Sequence, residues 1–308
     1  MGTSLNTSER IGTASADQPV FFPESDPKFF GIVSEPEGTV NDTAVVLLSG
    51  TYGGTTTLGR NRIWLRMARS LADRGHRVLR FDYAGIGDSV GDAVCYELEK
   101  PAIDELKAGM ALLADRGAQR FIVVGTCYGS RTALMGAAGD PRVKGVHLLV
   151  PPIGSGNKGT GGAEHLAEYH GSASLIKKAF SKRILRKLIH NKRAREAARK
   201  VVTLKAKSIV SSETESEKEV KDPSPDFFRP LRQLLEDGVP IHMLFGEADF
   251  FWTEFEEARQ GKLGQLLESH SEQVEIETIP GIVRGFLSTR VQDACIDSVV
   301  SWVQTHSR

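Results

Sequence analysis

The sequence predicts an α/β fold in which a mostly parallel, doubly wound sheet carries an inserted helical cap. Short runs rich in Val, Ile and Leu alternate with longer helical patterns over 44–150 and again over 241–303. This alternation is typical of parallel strands that are joined by crossover helices. Between the two regions the alternation stops, which indicates an insertion. With 308 residues, the chain can bury the core of one large domain that carries such an insertion.

In chain order, the first segment is polar, and we interpret 1–18 as a disordered leader without a signal peptide or membrane span. An antiparallel hairpin is predicted over 20–33. The core is assigned to 19–150 and 240–308, and the cap to 151–239. Core strands are predicted at 44–49, 77–82, 121–125, 143–150, 241–245 and 274–279. Ligands of such sheets bind beyond the carboxyl ends of the strands, so the residues that follow these ends are candidates for a site.

The predicted cap is basic. It begins with a glycine-rich linker over 154–162, and its segment 177–207 is rich in Lys and Arg with Glu196 as the sole acidic residue. Apolar residues recur there at helical spacing, which predicts an amphipathic basic helix or helix pair. One interpretation is a solvated face that balances the acidic stretch 211–226. The other is a surface that docks an anionic substrate arm or an acidic carrier protein, for which the candidates are Lys182, Arg183, Arg186 and Lys187.

Composition excludes several classes of function. The formal net charge is zero, and few aromatic residues accompany the basic ones, so nucleic acid is a poor candidate partner. The three cysteines, Cys95, Cys127 and Cys295, have no metal-ligand spacing and form no disulfide framework. We therefore expect a cytoplasmic protein with no metal and no cofactor.

The segment 125–129 has the form of a nucleophile elbow. It reads Gly-Thr-Cys-Tyr-Gly and lies between an apolar run and a helical pattern, with Cys127 at the central position. The turn from strand to helix is so sharp that only small residues fit two positions before and after the nucleophile. The helix N-terminus favours negative charge, so we expect the Cys127 thiolate to form readily. The alternative is a buried, inert cysteine in a strand-to-helix turn.

With the elbow, the strand order and the cap, the chain resembles the α/β-hydrolase superfamily over about 20–303. The segment 80–89, Arg-Phe-Asp-Tyr-Ala-Gly-Ile-Gly-Asp-Ser, is similar to the serine-aminopeptidase-like and exosortase-associated groups, some of which also carry cysteine at the elbow. The resemblance implies that Cys127 is the nucleophile. It implies that Asp249, ahead of Glu247, is the acid, unless that side chain only caps the next helix.

The same resemblance implies an oxyanion hole of two backbone amides. One belongs to Tyr128, and the other to Thr51 or Tyr52 in the loop after the first long strand. The His-Gly pair that is usual in this loop is absent. Backbone donors depend little on side-chain identity, so the hole remains the expectation.

The resemblance fails at one position. The segment 281–286 reads Gly-Ile-Val-Arg-Gly-Phe, and Arg284 stands where the superfamily places the histidine of its triad. A guanidinium stays protonated to about pH 12, so Arg284 cannot act as a general base. Three roles remain open for it: pairing with Asp249, holding Cys127 as a thiolate, or binding an anionic part of the substrate.

These residues favour thioester chemistry. A thioester releases a thiolate whose conjugate acid has a pKa of about 8.5, whereas an ester or amide needs a proton delivered to its leaving group. We therefore expect a thioesterase or acyltransferase that forms an acyl-Cys127 intermediate, with the acyl group carried on coenzyme A or on an acyl or peptidyl carrier protein. The alternatives are a catalytically impaired hydrolase that serves as a binding protein, and a Cys-His-Asp hydrolase disabled by arginine in place of histidine.

Overall fold

An eight-stranded sheet forms the centre of the molecule. The computed structural model describes residues 16–25, 27–50, 56–91, 98–154 and 222–307, and their elements belong to one compact unit, Met1–Ser155 with Val220–Arg308. The strand order is β1-β2-β4-β3-β5-β6-β7-β8. The strands are β1 Ala16–Phe22, β2 Phe29–Glu35, β3 Thr43–Leu48, β4 Val78–Phe81, β5 Arg120–Thr126, β6 Val143–Leu149, β7 Ile241–Gly246 and β8 Val274–Ile279.

The predicted parallel sheet is confirmed from β4 to β8. Neighbouring strands in this part of the sheet are all parallel, whereas β1, β2 and β4 pair antiparallel. The hairpin ahead of the core is therefore present, and all six predicted core strands exist with small differences at their ends. Because the parallel strands share one direction, the loops after β3, β5 and β7 emerge at the same edge of the sheet.

The predicted leader is wrong at its C-terminal end, because β1 begins at Ala16 and pairs Ala16 with Glu35. Polar contacts hold this edge strand. Asp17 accepts a 2.5 Å hydrogen bond from Ser34 and lies 3.1 Å from the buried guanidinium of Arg80. A strand held by such contacts lacks the apolar alternation by which strands are recognised in a sequence.

Helices cover both faces of the sheet, as the doubly wound prediction requires. Residues of α1 and α7 belong to one apolar cluster, and residues of α2 to α6 belong to the other. No helix in the described ranges is long and apolar enough to cross a membrane. The helices are α1 Ile63–Ala72, α2 Ile103–Asp115, α3 Tyr128–Ala137, α4 Pro225–Glu236, α5 Phe250–Ala258, α6 Lys262–Ser269 and α7 Thr289–His306.

The predicted cap is too long at its C-terminal end. Helix α4 falls inside the predicted 151–239, yet Phe227, Leu231 and Leu234 on it are buried in the same cluster as Leu134 of α3. Their spacing is that of a helix face packed on a core. The polar stretch 211–226 obscured the start of this helix in the sequence. The glycine-rich linker and the basic segment 177–207 lie outside the described residues.

Two histidines are packed together beneath α7. His147 of β6 and His242 of β7 are register partners, with ring centroids 4.3 Å apart, and Trp302 covers both. Neither ring nitrogen of His147 finds a hydrogen-bond partner among the described residues. Burial, followed by the proximity of His242, lowers the pKa of His147 well below its ordinary value. The imidazole is therefore held in its neutral form.

Protonation of His147 should oppose folding at acidic pH. Below about pH 6.5 the imidazole of His147 binds a proton in the unfolded chain but not in the folded one. Through this group, the free energy of unfolding decreases by about 1.4 kcal/mol for each unit by which the pH is lowered. We expect His147→Met to reduce this slope in urea denaturation curves measured from neutral to acidic pH. The control is Leu148→Met, a buried neighbour without a titratable group. Equal slopes for the His147 variant and the wild type would contradict the interpretation.

Candidate active site

Cys127 occupies the turn between β5 and α3 with φ 51° and ψ −115°. A residue with a side chain rarely adopts a positive φ, and it does so here because the surrounding backbone holds it. The Cys127 amide donates to the Leu149 carbonyl at 3.0 Å, and the Ser130 amide donates to the Cys127 carbonyl at 3.0 Å. The Ser130 hydroxyl donates to the Gly125 carbonyl at 2.9 Å. These bonds fix the thiol at the start of α3.

Two glycines make the turn possible, as the sequence predicts. A Cβ on Gly125 would lie 2.2 Å from the Gly129 carbonyl oxygen, and a Cβ on Gly129 would lie 2.3 Å from the Leu48 carbonyl oxygen. Both distances are far below van der Waals contact, and the obstructing atoms belong to backbone. Helix α3 thus packs directly against the ends of β5 and β3. The elbow geometry follows from this close approach.

The prediction that the Cys127 thiolate forms readily is wrong for the protein without a bound substrate. Although part of Cys127 is exposed, burial of its thiol raises the pKa above the ordinary value. The Tyr128 amide and the charges of Arg284 and Arg131 act in the opposite direction and lower that pKa, but burial has the larger effect. A low dielectric disfavours the charged form of an acid, which the helix N-terminus does not overcome. At neutral pH the resting group is a thiol.

Asp249 follows β7 and is 3% exposed. Its Oδ2 accepts hydrogen bonds from the amides of Gly246 at 3.0 Å and Val283 at 2.9 Å. Although Asp249 precedes α5, its side chain makes no capping bond to that helix. Glu247, the less favoured candidate for the acid, is exposed. Burial raises the pKa of Asp249, and the amide donors and the Arg284 charge partly offset that rise.

The backbone of Arg284 lies next to the carboxylate of Asp249, at the position where the resemblance to the α/β-hydrolase superfamily predicts the triad histidine. Its backbone amide contacts Oδ1 and Oδ2 of Asp249, both at 3.3 Å. Its guanidinium lies 5.7 Å from the ring centroid of Phe251. The charge of Arg284 lowers the pKa of both Cys127 and Asp249. The structure therefore brings Cys127, Asp249 and Arg284 into one electrostatic neighbourhood at the carboxyl edge of the sheet.

The predicted oxyanion hole is described in part. The Tyr128 amide lies at the Cys127 sulfur, where it stabilises the thiolate form. Gly50, which begins the loop predicted to donate the second amide, is packed against Cys127, since a Cβ on Gly50 would lie 3.2 Å from the Cys127 Cβ. Thr51 and Tyr52 lie outside the described residues. The predicted docking residues Lys182, Arg183, Arg186 and Lys187 also lie outside them.

Asp82 is a structural residue of the site whose role sequence reasoning missed. Its carboxylate accepts hydrogen bonds from the amides of Thr57 at 2.6 Å and Asp88 at 3.4 Å. Gly87 approaches this carboxylate so closely that a Cβ on it would lie 2.0 Å from Oδ2. Asp82 therefore anchors the backbone at Thr57, which follows the loop predicted to contribute to the oxyanion hole. The paired glycines of 80–89 were the available signal, because they indicate a backbone turned around a neighbouring group.

A second residue that sequence reasoning missed is Arg131, a buried arginine on α3 that bonds the chain on both sides of the insertion. No sequence pattern marks it. No group of three or more His, Cys, Asp or Glu side chains in the described ranges is arranged to hold a metal ion. The chemistry available to the described site is therefore that of a thiol, a buried carboxylate, fixed cations and backbone amides.

A family model for the alpha/beta hydrolase family matches residues 45–278. The chain belongs to the alpha/beta hydrolase family. The match begins within β3, continues through the elbow and the insertion, and ends within β8, the strand that precedes Arg284. No curated protein matches the sequence.

Solved structures share the hydrolase fold at low identity. An esterase of Pyrococcus furiosus has a TM-score of 0.62 and 17% identity, with 95% of this chain and 92% of that chain covered. A proline iminopeptidase of Mycobacterium smegmatis has a TM-score of 0.54 and 16% identity, with 94% and 99% covered. A thioesterase domain from the curacin biosynthetic pathway has a TM-score of 0.50 and 13% identity, with 94% and 99% covered. These likenesses show the fold.

The steric basis of the elbow can be tested with Gly125→Ala. Because the new methyl group meets backbone, we expect a loss of about 3 kcal/mol or more in the free energy of unfolding. The control is Gly117→Ala, where φ is +97° but no atom lies within 4 Å of the added Cβ. Gly117→Ala should lower the free energy of unfolding by only about 1–2 kcal/mol, the energy needed to hold a residue with a side chain in a left-handed conformation. Similar losses in urea denaturation for the two variants would contradict the packing argument.

Proposed function

We propose that the protein transfers or hydrolyses acyl groups of thioesters through an acyl-Cys127 intermediate. The observation that carries the proposal is the position of Cys127 at a sterically enforced elbow, beside the Tyr128 amide and near the Asp249–Arg284 loop. Family membership supports acyl chemistry, because the shared fold serves an esterase and a thioesterase domain. The cysteine and the arginine select thioesters within that chemistry.

Thioesters suit a site whose described residues offer no general base. Arg284 cannot accept a proton. The carboxylate of Asp249 already accepts hydrogen bonds from backbone amides and is therefore not a free base. In thioester exchange the Cys127 sulfur bonds to the acyl carbon, the bond from carbon to the departing sulfur breaks, and the departing thiolate takes up the proton lost by Cys127. The exchange therefore neither consumes nor releases a proton overall. The thiolate can leave without an acid catalyst, because the pKa of its conjugate acid is only about 8.5.

The tetrahedral intermediate carries negative charge, and the site offers donors for it. The Tyr128 amide is one, and the loop that begins at Gly50 supplies the second in this proposal. The positive charge of Arg284 adds a longer-range contribution in a partly buried site. We further propose that the anionic arm of coenzyme A or of an acidic carrier protein docks on the basic segment 177–207.

Acylation of Cys127 is the direct test. After incubation with acetyl-coenzyme A, intact-mass and peptide analysis should show one acetyl group on Cys127, forming about tenfold faster per pH unit between about pH 6 and pH 8, as the thiolate fraction grows. Cys127→Ala is the control, and Cys295 serves as an internal one, because burial raises its pKa to about 12. Absence of the adduct, or an adduct retained in Cys127→Ala, would overturn the proposal.

Replacing the arginine tests whether the site lacks only its base. In Arg284→His an imidazole stands beside Asp249, so hydrolysis of activated esters and thioesters should rise about 100-fold or more. The matched control is Arg284→Gln, which removes the charge without adding a base and should not gain activity. If the histidine variant turns over p-nitrophenyl acetate no faster than the glutamine variant, the triad assignment of this position is wrong.

A binding role is the second candidate, and the raised pKa of the Cys127 thiol favours it. In that case the elbow is retained as architecture and the pocket holds a ligand without reaction. Alkylation by iodoacetamide distinguishes the candidates. A Cys127 that reacts no faster in the folded protein than in the denatured chain at the same pH supports binding, whereas faster reaction supports a nucleophile.

A further inference from the structure

Arg131 lies on α3, four residues after Cys127, and is 1% exposed. Its guanidinium is surrounded by acceptors rather than by one carboxylate. Nε donates to the Pro152 carbonyl at 2.9 Å, and Nη2 donates to the Ile153 carbonyl at 3.2 Å and to the Gly154 carbonyl. Nη1 donates to the Ser224 hydroxyl at 2.7 Å. Four acceptors on two chain segments therefore converge on one buried cation.

The two segments are the described ends of the chain on either side of 155–221. Pro152, Ile153 and Gly154 follow β6, and Ser224 immediately precedes α4. They also bond each other, since the Ser224 amide donates to the Ile153 carbonyl at 3.0 Å. Glu254 of α5 adds an acceptor for the Ile153 amide at 3.2 Å. Arg131 thus ties both roots of the insertion to the helix that begins at the nucleophile.

Arg131 is also a charge near the thiol. Burial lowers the pKa of Arg131 to about 10, with Asp226, Glu254 and Glu99 acting in the opposite direction, so the guanidinium is protonated at neutral pH. Cys127 is the N-cap residue of α3, and Arg131 lies in the first turn of that helix. The Arg131 charge lowers the pKa of Cys127, as the Arg284 charge does.

We propose that Arg131 is a positioning residue for Cys127. It fixes the roots of the insertion to the helix that Cys127 caps, and it holds a buried, permanent positive charge in the first turn of that helix. The consequence for acyl transfer rests on the proposed function, whereas the effect on the thiol itself does not. A purely structural explanation is weaker, because burying a cation costs several kcal/mol and apolar residues fill such space more cheaply. Carbonyls alone would also have been satisfied by a neutral donor.

Substitution separates the charge from the hydrogen bonds. Arg131→Gln keeps an amide donor and removes the charge, whereas Arg131→Lys keeps the charge and loses the forked geometry that reaches several carbonyls. Arg131→Met removes both. Arg142→Met is the matched control, because Arg142 pairs with Asp140 and stacks on Phe121 away from the elbow.

The measurement is the pH dependence of Cys127 alkylation by iodoacetamide, followed on the Cys127 peptide by mass spectrometry. We expect Arg131→Gln and Arg131→Met to move the midpoint to higher pH and to slow alkylation at pH 8 by about threefold or more. Arg131→Lys and Arg142→Met should keep the wild-type midpoint. A loss of stability without a change in midpoint for a folded, charge-free variant would overturn the proposal.

A reciprocal variant keeps the test decisive if neither charge-free variant folds. Asp226→Asn removes one of the anions that neutralise Arg131 and leaves the arginine in place. It should lower the alkylation midpoint and speed the reaction at pH 8, and an unchanged or higher midpoint would overturn the proposal. Alkylation needs no thioester, so a failure of acetyl-coenzyme A to acylate wild-type Cys127 would overturn the proposed function without touching this inference.

Discussion

The contact between α3 and the ends of β5 and β3 is the constraint on which the site depends. At Gly125 and Gly129 there is no room for a single carbon atom, because backbone carbonyls lie 2.2 and 2.3 Å from where it would be. This approach forces Cys127 into a positive φ and brings the Tyr128 amide to its sulfur. The strain of that conformation is offset by the hydrogen bond that the Cys127 amide donates to the Leu149 carbonyl of β6 and by the bond that the Cys127 carbonyl accepts from the Ser130 amide.

The charges of the site are arranged by the same framework. Asp249 is buried at the end of β7, and amides from its own turn and from the loop after β8 bond its carboxylate. That loop carries Arg284, so the carboxylate positions the arginine through the backbone, whatever side chain stands there. The backbone at position 284 is therefore held in place independently of its side chain. The side chain there can differ without a change in the fold.

Residues that repeat a local pattern could be predicted from the sequence, and residues that act through distant contacts could not. The core strands, the elbow and the place of Asp249 after β7 follow from runs of apolar residues, flanking glycines and chain order. Arg131 could not be found, because most of its acceptors are carbonyls of 152–154, which carry no side-chain signature, and the remaining one, the Ser224 hydroxyl, is distant in sequence. The predicted direction of the pKa shift of Cys127 was wrong. The position of a residue at a helix N-terminus can be read from the local sequence, whereas desolvation depends on all the residues packed around the thiol.

Burial and fixed cations act against each other at the thiol, and this balance explains why proton-neutral exchange fits the site. Burial penalises a thiolate and also the oxyanion that follows it. In the proposed exchange the cost of burying a charge therefore falls mainly on forming the Cys127 thiolate, and the later movement of that charge from sulfur to oxygen and on to the leaving sulfur adds little to it. The charges of Arg284 and Arg131 favour the thiolate of Cys127, and in the proposed exchange they would act on the same negative charge as it moves to the oxyanion. A histidine would instead shuttle a proton, which ester and amide cleavage require and thioester exchange does not.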